Sequence, residues 1–116
     1  MGFQGHISLN TLSRLSALKV LSLRSNAISG SFPLNLVELK NLTTLYLQFN
    51  ELSGSLPNLS VWNDLSIVDL SNNGFNGSIL LKLSYLTALN LSNNSLSGDI
   101  LDTDIPGLHH YDKLIN

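Results

Sequence analysis

The chain has 116 residues, 43% hydrophobic and 12% charged, with a formal net charge of −2 and no cysteine. That balance fits one folded domain rather than a disordered chain and offers no basic field to nucleic acid or an anionic membrane. Disulfides, thiolate catalysis and zinc–thiolate sites are excluded together, while the redox compartment stays open.

Taken in order, Phe3-Gln4-Gly5-His6-Ile7 reads as the second half, L-x-G-x-I, of a longer unit, so the chain is expected to start in mid-repeat. These first residues have neither the basic and apolar regions of a signal peptide nor the Ser or Thr that a myristoylation signal wants where His6 stands. No run of about 18 apolar residues exists to cross a bilayer. Leu12, Leu15 and Leu18 recur every three residues, which predicts a short helical or 3₁₀ stretch on the outer side. Leu18-Lys19-Val20-Leu21-Ser22-Leu23 then switches to alternation, the mark of a strand.

From there the pattern L-x-x-L-x-L-x-x-N-x-L-x-G-x-I repeats over residues 18–32, 42–56, 65–79 and 86–100. Its asparagines, Asn26, Asn50, Asn73 and Asn94, are spaced 24, 23 and 21 residues apart. Self-similarity at such a period resembles the leucine-rich repeat. The expected fold is an α/β repeat, a right-handed solenoid of four to five coils with a short parallel sheet on the concave face and loops and 3₁₀ turns on the convex face. The array divides into a partial repeat (1–17), repeats at 18–41, 42–64, 65–85 and 86–107, and a degenerate terminal repeat (108–116). In that tail Tyr111 takes the second leucine position, Lys113 intrudes at a core position and Asn116 stands at the landmark.

Neighbouring side chains on a strand face opposite ways. Leu21 and Leu23, Leu45 and Leu47, Val68 and Leu70, and Leu89 and Leu91 are therefore the expected core. No unit can bury its leucines alone, and stacking supplies the burial. The four asparagines read as structural, because an amide carries both donors and acceptors for backbone groups left unpaired at a tight turn. Gly30, Gly54, Gly77 and Gly98 recur in step and read as backbone requirements rather than a phosphate loop. Pro33 and Pro57 fit turn or edge positions.

The segments Asn26-Ala27-Ile28-Ser29-Gly30-Ser31-Phe32-Pro33 and Asn50-Glu51-Leu52-Ser53-Gly54-Ser55-Leu56-Pro57 closely resemble the plant-specific class of leucine-rich repeats. Gly2-Phe3-Gln4-Gly5-His6-Ile7, Leu21-Ser22-Leu23-Arg24-Ser25-Asn26 and Leu45-Tyr46-Leu47-Gln48 are further similar to ectodomains of plant receptor-like kinases, including the inactive-kinase type. The resemblance implies an extracellular or plasma-membrane ectodomain, with a membrane helix and a kinase or pseudokinase domain in the parent. It also implies cysteine-paired caps, which this sequence lacks, so exposed ends are expected to promote self-association. Function is then that of a module binding a protein or peptide ligand or a co-receptor in signal perception. The alternatives are a secreted inhibitor of pathogen cell-wall hydrolases and a truncated, non-functional relic.

Outward positions of the strands are where binding is expected: Arg24, Tyr46, Gln48, Phe49 and Asp69. Exposed Tyr, Phe and Arg on a rigid sheet are the residue types that anchor interfaces. Phe49 has an equal alternative, packing on the strand edge with no partner. The outward residues of the last full repeat, Ala88, Asn90, Ser92 and Asn93, are small and polar. No catalytic residue, cofactor or metal is expected; His109, His110 and Asp112 fall on a tail where adjacent side chains diverge. Trp62 is expected to cover the core rather than bind sugar. Asn41, Asn58 and Asn76 lie in sequons away from the strand face and are candidate glycan carriers, whereas the sequons of Asn90 and Asn93 lie on it.

Overall fold

A computed structural model of the protein describes residues 4–5, 17–56, 62–78, 86–97 and 113–115. Two parallel sheets run the length of the stack. The first is built from β2 (Val20–Ser22), β4 (Thr44–Tyr46), β6 (Ile67–Asp69), β8 (Ala88–Leu91) and β10 (Lys113–Ile115). The second is built from β1 (Gln4–Gly5), β3 (Ala27–Ser31), β5 (Glu51–Ser55), β7 (Gly74–Ser78) and β9 (Ser95–Ser97). Each repeat contributes one strand to each sheet, and strand neighbours in space are always a repeat apart in sequence.

The leucines explain the first sheet. In register, Leu21 pairs with Leu45, Leu45 with Val68 and Val68 with Leu89. All four are buried, as are Leu23, Leu47, Leu70 and Leu91 two residues on. Burial of a leucine is worth about 1.5–3 kcal/mol, so these two columns bind each coil to the next. Leu36, Leu39 and Leu42 recur every three residues and are each fully buried, and the 3₁₀ helix Leu34–Glu38 follows Pro33 directly. Trp62 closes the same outer side: it is 1% exposed and donates its Nε1–H to the carbonyl of Leu36 at 3.2 Å. Phe32 bridges the Trp62 and Phe75 rings at centroid distances of 6.2 and 6.3 Å.

The second sheet accompanies the expected loops and 3₁₀ turns outside the concave face. Of its strands, β3, β5, β7 and β9 carry one inward apolar residue each, Ile28, Leu52, Phe75 and Leu96, so the alternation is too short to signal a strand. Its register is staggered: Gly30 pairs with Leu52, Gly54 with Phe75 and Gly77 with Leu96.

The landmark asparagines account for that stagger. Asn50 Oδ1 accepts the N–H of Ile28, Asn73 Oδ1 that of Leu52 and Asn94 Oδ1 that of Phe75, at 3.2, 3.0 and 3.0 Å. Each amide thus replaces a backbone rung at the inward residue of the preceding coil, and strand pairing resumes two residues later. The same side chains donate Nδ2–H both to that coil, at the carbonyls of Leu23, Leu47 and Leu70, and to their own, at Leu47, Leu70 and Leu91. Asn26 donates to the carbonyls of Leu23 and Arg24.

A second ladder runs where the first sheet begins. The hydroxyls of Thr43, Ser66 and Thr87 donate to the carbonyls of Lys19, Thr43 and Ser66 in turn.

The terminal strand is a correction to the expected register. Lys113 pairs with Leu89 and Ile115 with Leu91, two residues away from the alignment that set Tyr111 against Leu89. A slip of two keeps the strand's parity: Ile115 takes the Leu91 column, and Lys113 still falls in a core column, that of Leu89. Leu12, Leu15, Pro57, Gly98, Tyr111 and Asn116, together with the residues flanking both ends, lie outside the described residues.

Candidate functional site

The outward face of the first sheet is organised in columns set by strand register. Val20, Thr44, Ile67 and Ala88 form the first, and Ser22, Tyr46, Asp69 and Asn90 the second. Backbone bonds continue the ladder beyond the strands. Ser25 N–H reaches Gln48 O, Phe49 N–H reaches Ser71 O and Asn72 N–H reaches Ser92 O. Arg24, Gln48, Ser71 and Ser92 therefore make a third column. Ser25, Phe49, Asn72 and Asn93 form the rim, all in the left-handed region with φ of 58°, 60°, 56° and 57°.

Arg24 is exposed and has no ion pair among the described residues. Tyr46 is half-buried, and one strand on is Asp69, also half-buried. Asp69 is held in place by its own turn: Oδ1 accepts the Ser71 N–H at 3.0 Å and the Ser71 hydroxyl at 2.7 Å. Asn90 repeats this arrangement with Ser92. Phe49 is 57% exposed, so its ring is offered to solvent rather than packed on the strand edge.

Gln48 differs from the expectation of an exposed contact residue: it is only 8% exposed, and its Oε1 is a buried side-chain oxygen without a partner. The reason is its position. The two central repeats lie between neighbouring coils, and Ser71, in the same column, is likewise buried. An unpaired buried acceptor costs about 1–3 kcal/mol.

The structure thus brings Arg24, Tyr46, Phe49 and Asp69 onto one face. Val20, an outward strand position outside the expected binding group, stands at its edge as a large apolar residue 53% exposed. Sequence reasoning missed the hydroxyl ladder, for which the Thr or Ser after the first leucine at Thr43, Ser66 and Thr87 was a readable signal.

Asn41 and Asn76 are both exposed and away from this face, whereas Asn90 is half-buried on it. Asn58, His109, His110 and Asp112 lie outside the described residues. Among the described residues no group of three or more His, Cys, Asp or Glu side chains is placed to hold a metal, and no helix is long and apolar enough to cross a membrane.

The pattern of the family described as Leucine Rich Repeat matches residues 17–39, 41–60 and 85–108. Receptor-like protein 41 of Arabidopsis thaliana is 38% identical over 105 residues, covering 86% of this chain and 12% of that protein. A "Probable inactive receptor kinase" of the same plant is 67% identical over 42 residues, 36% of this chain and 7% of that protein. Among solved structures, the Arabidopsis receptor kinase HAESA, in complex with the peptide hormone IDA and the co-receptor SERK1, superposes with a TM-score of 0.70 at 36% identity. That match covers 79% of this chain and 16% of that one. The chain spans about a tenth of the length of these curated relatives.

Proposed function

The chain belongs to the leucine-rich-repeat family, and on that premise we propose that its concave sheet perceives a peptide ligand or co-receptor as part of a receptor-like ectodomain outside the plant cell. The module is non-catalytic and acts by binding. One observation carries the reading: Arg24 and Phe49 stand exposed, and Tyr46 half-exposed, on one parallel sheet in which β4 is hydrogen-bonded on both sides and β2 to β4. A preorganised surface lowers the cost of ordering on binding, and arginine and large aromatics are the residue types that dominate interface energetics. That HAESA is solved with a peptide hormone and a co-receptor supports a ligand of the same kind.

A Tyr46→Ala, Phe49→Ala double variant of the full chain tests this in a pull-down from plant membrane extract. Loss of two anchors worth about 2 kcal/mol or more should weaken capture at least roughly 30-fold. The melting temperature should stay close to that of the parent. Undiminished capture by a folded double variant refutes the concave-face assignment.

A further inference from the structure

Phe49 fits its own backbone worst of the four rim residues. The turn before each landmark asparagine demands a left-handed residue, and Ser25, Asn72 and Asn93 are small or carry an amide that tolerates it. A phenylalanine there crowds its Cβ against the following carbonyl, and an exposed ring gains little from burial in return. Its neighbour Gln48 adds a desolvated oxygen without a partner. In the next two repeats the same pair of positions reads Ser71-Asn72 and Ser92-Asn93, with each serine hydroxyl satisfied by the Asp69 or Asn90 side chain. Strain that is greatest at one repeat, where a bulky apolar residue holds the conformation its neighbours fill with Ser or Asn, points to a contact outside the chain.

Charge identifies that contact's chemistry. Arg24 is in register with Gln48 one strand away, exposed and without an ion pair among the described residues. Lys19 is exposed at the start of the same repeat, and the carboxylate of Asp69 is committed to Ser71. One strand spacing and one residue separate Arg24 from Phe49, a backbone distance of about 6 Å. Alternate residues of an extended chain, which share a face, are about 6.6 Å apart.

We propose that Phe49 anchors an extended acidic peptide whose apolar side chain packs on the exposed ring while a carboxylate two residues away pairs with Arg24. This rests on the concave face being the binding surface and specifies what it selects.

The test is a selection of phage-displayed random twelve-residue peptides on the full chain. Enriched sequences should carry Asp or Glu two residues from a large apolar residue, and their binding should weaken with salt. Phe49→Asn, which copies Asn72 and Asn93, should raise the melting temperature by a few degrees and yet bind the selected peptides at least tenfold more weakly. Arg24→Gln should lose affinity with no change in melting. Peptides that bind the face, as judged by the Tyr46→Ala variant, but lack the acidic–apolar pair overturn this proposal and leave the general reading standing. So does a Phe49→Asn variant that melts lower or binds as well as the parent. A selection that yields no binder overturns the general reading and this one with it.

Discussion

Replacing Asn50 by alanine probes the joint between two coils. Its amide donates to Leu23 O at 2.9 Å, Leu47 O at 3.0 Å and Gln48 O at 3.4 Å, and accepts from Ile28 N–H at 3.2 Å. The losses are unequal. Leu23 O keeps the Asn26 donor and Leu47 O keeps the Asn73 donor, so each carbonyl gives up only a second bond. Ile28 is buried, and its N–H loses the Asn50 acceptor. An orphaned buried donor costs about 1–3 kcal/mol, and each lost second bond adds about 0.5 kcal/mol, for a total near 3 kcal/mol. For a chain of this size that corresponds to roughly 10 °C in melting temperature. Urea unfolding followed by the fluorescence of Trp62, the only tryptophan, measures it. Asn50→Asp serves as a control, since it keeps the acceptor but turns an acceptor towards Leu23 O and Leu47 O; its loss should be comparable. A loss below about 1 kcal/mol in both variants would refute the account of the asparagine as a surrogate rung.

Trp62→Phe removes the donor to Leu36 O and part of a fully buried ring; stability followed by circular dichroism should fall by about 1–3 kcal/mol. An unchanged melt would place the weight of that contact elsewhere. Gly54→Ala separates conformation from space, because φ is +84° while an added Cβ would meet nothing within 4 Å. Its cost, about 1 kcal/mol in chemical denaturation, should therefore be that of the left-handed backbone alone.

The first sheet was legible because its signal is redundant. Leucines alternate within each strand and recur at the same phase in every unit, so parity alone placed Leu45 and Leu47 inside and Tyr46 outside. The second sheet was not, because a five-residue strand such as Glu51–Ser55 has one inward apolar residue and a glycine with positive φ, a pattern that reads as a turn. Parity also misled at Gln48. It lies beyond the end of β4, where the chain turns and neighbouring coils flank it, so an outward phase there does not mean exposure. Phe49 was legible as a large apolar residue on the wrong side of the core. Its backbone strain was not, since nothing in the sequence at Ser25, Asn72 and Asn93 prescribes a left-handed turn until all four positions are seen to share one.

The asparagine joints all reach in one direction. Asn50, Asn73 and Asn94 each satisfy groups of the coil before their own, and none of these bonds involves the outer segments, where repeat length varies. Every unit therefore brings the fasteners for its predecessor within its own sequence. Whole units can be duplicated or deleted without redesigning the seam, and the outer segments are free to drift in length. The breadth of the concave face is then an inheritable quantity, set by copying, while its outward residues, Arg24, Tyr46 and Phe49 among them, can change separately.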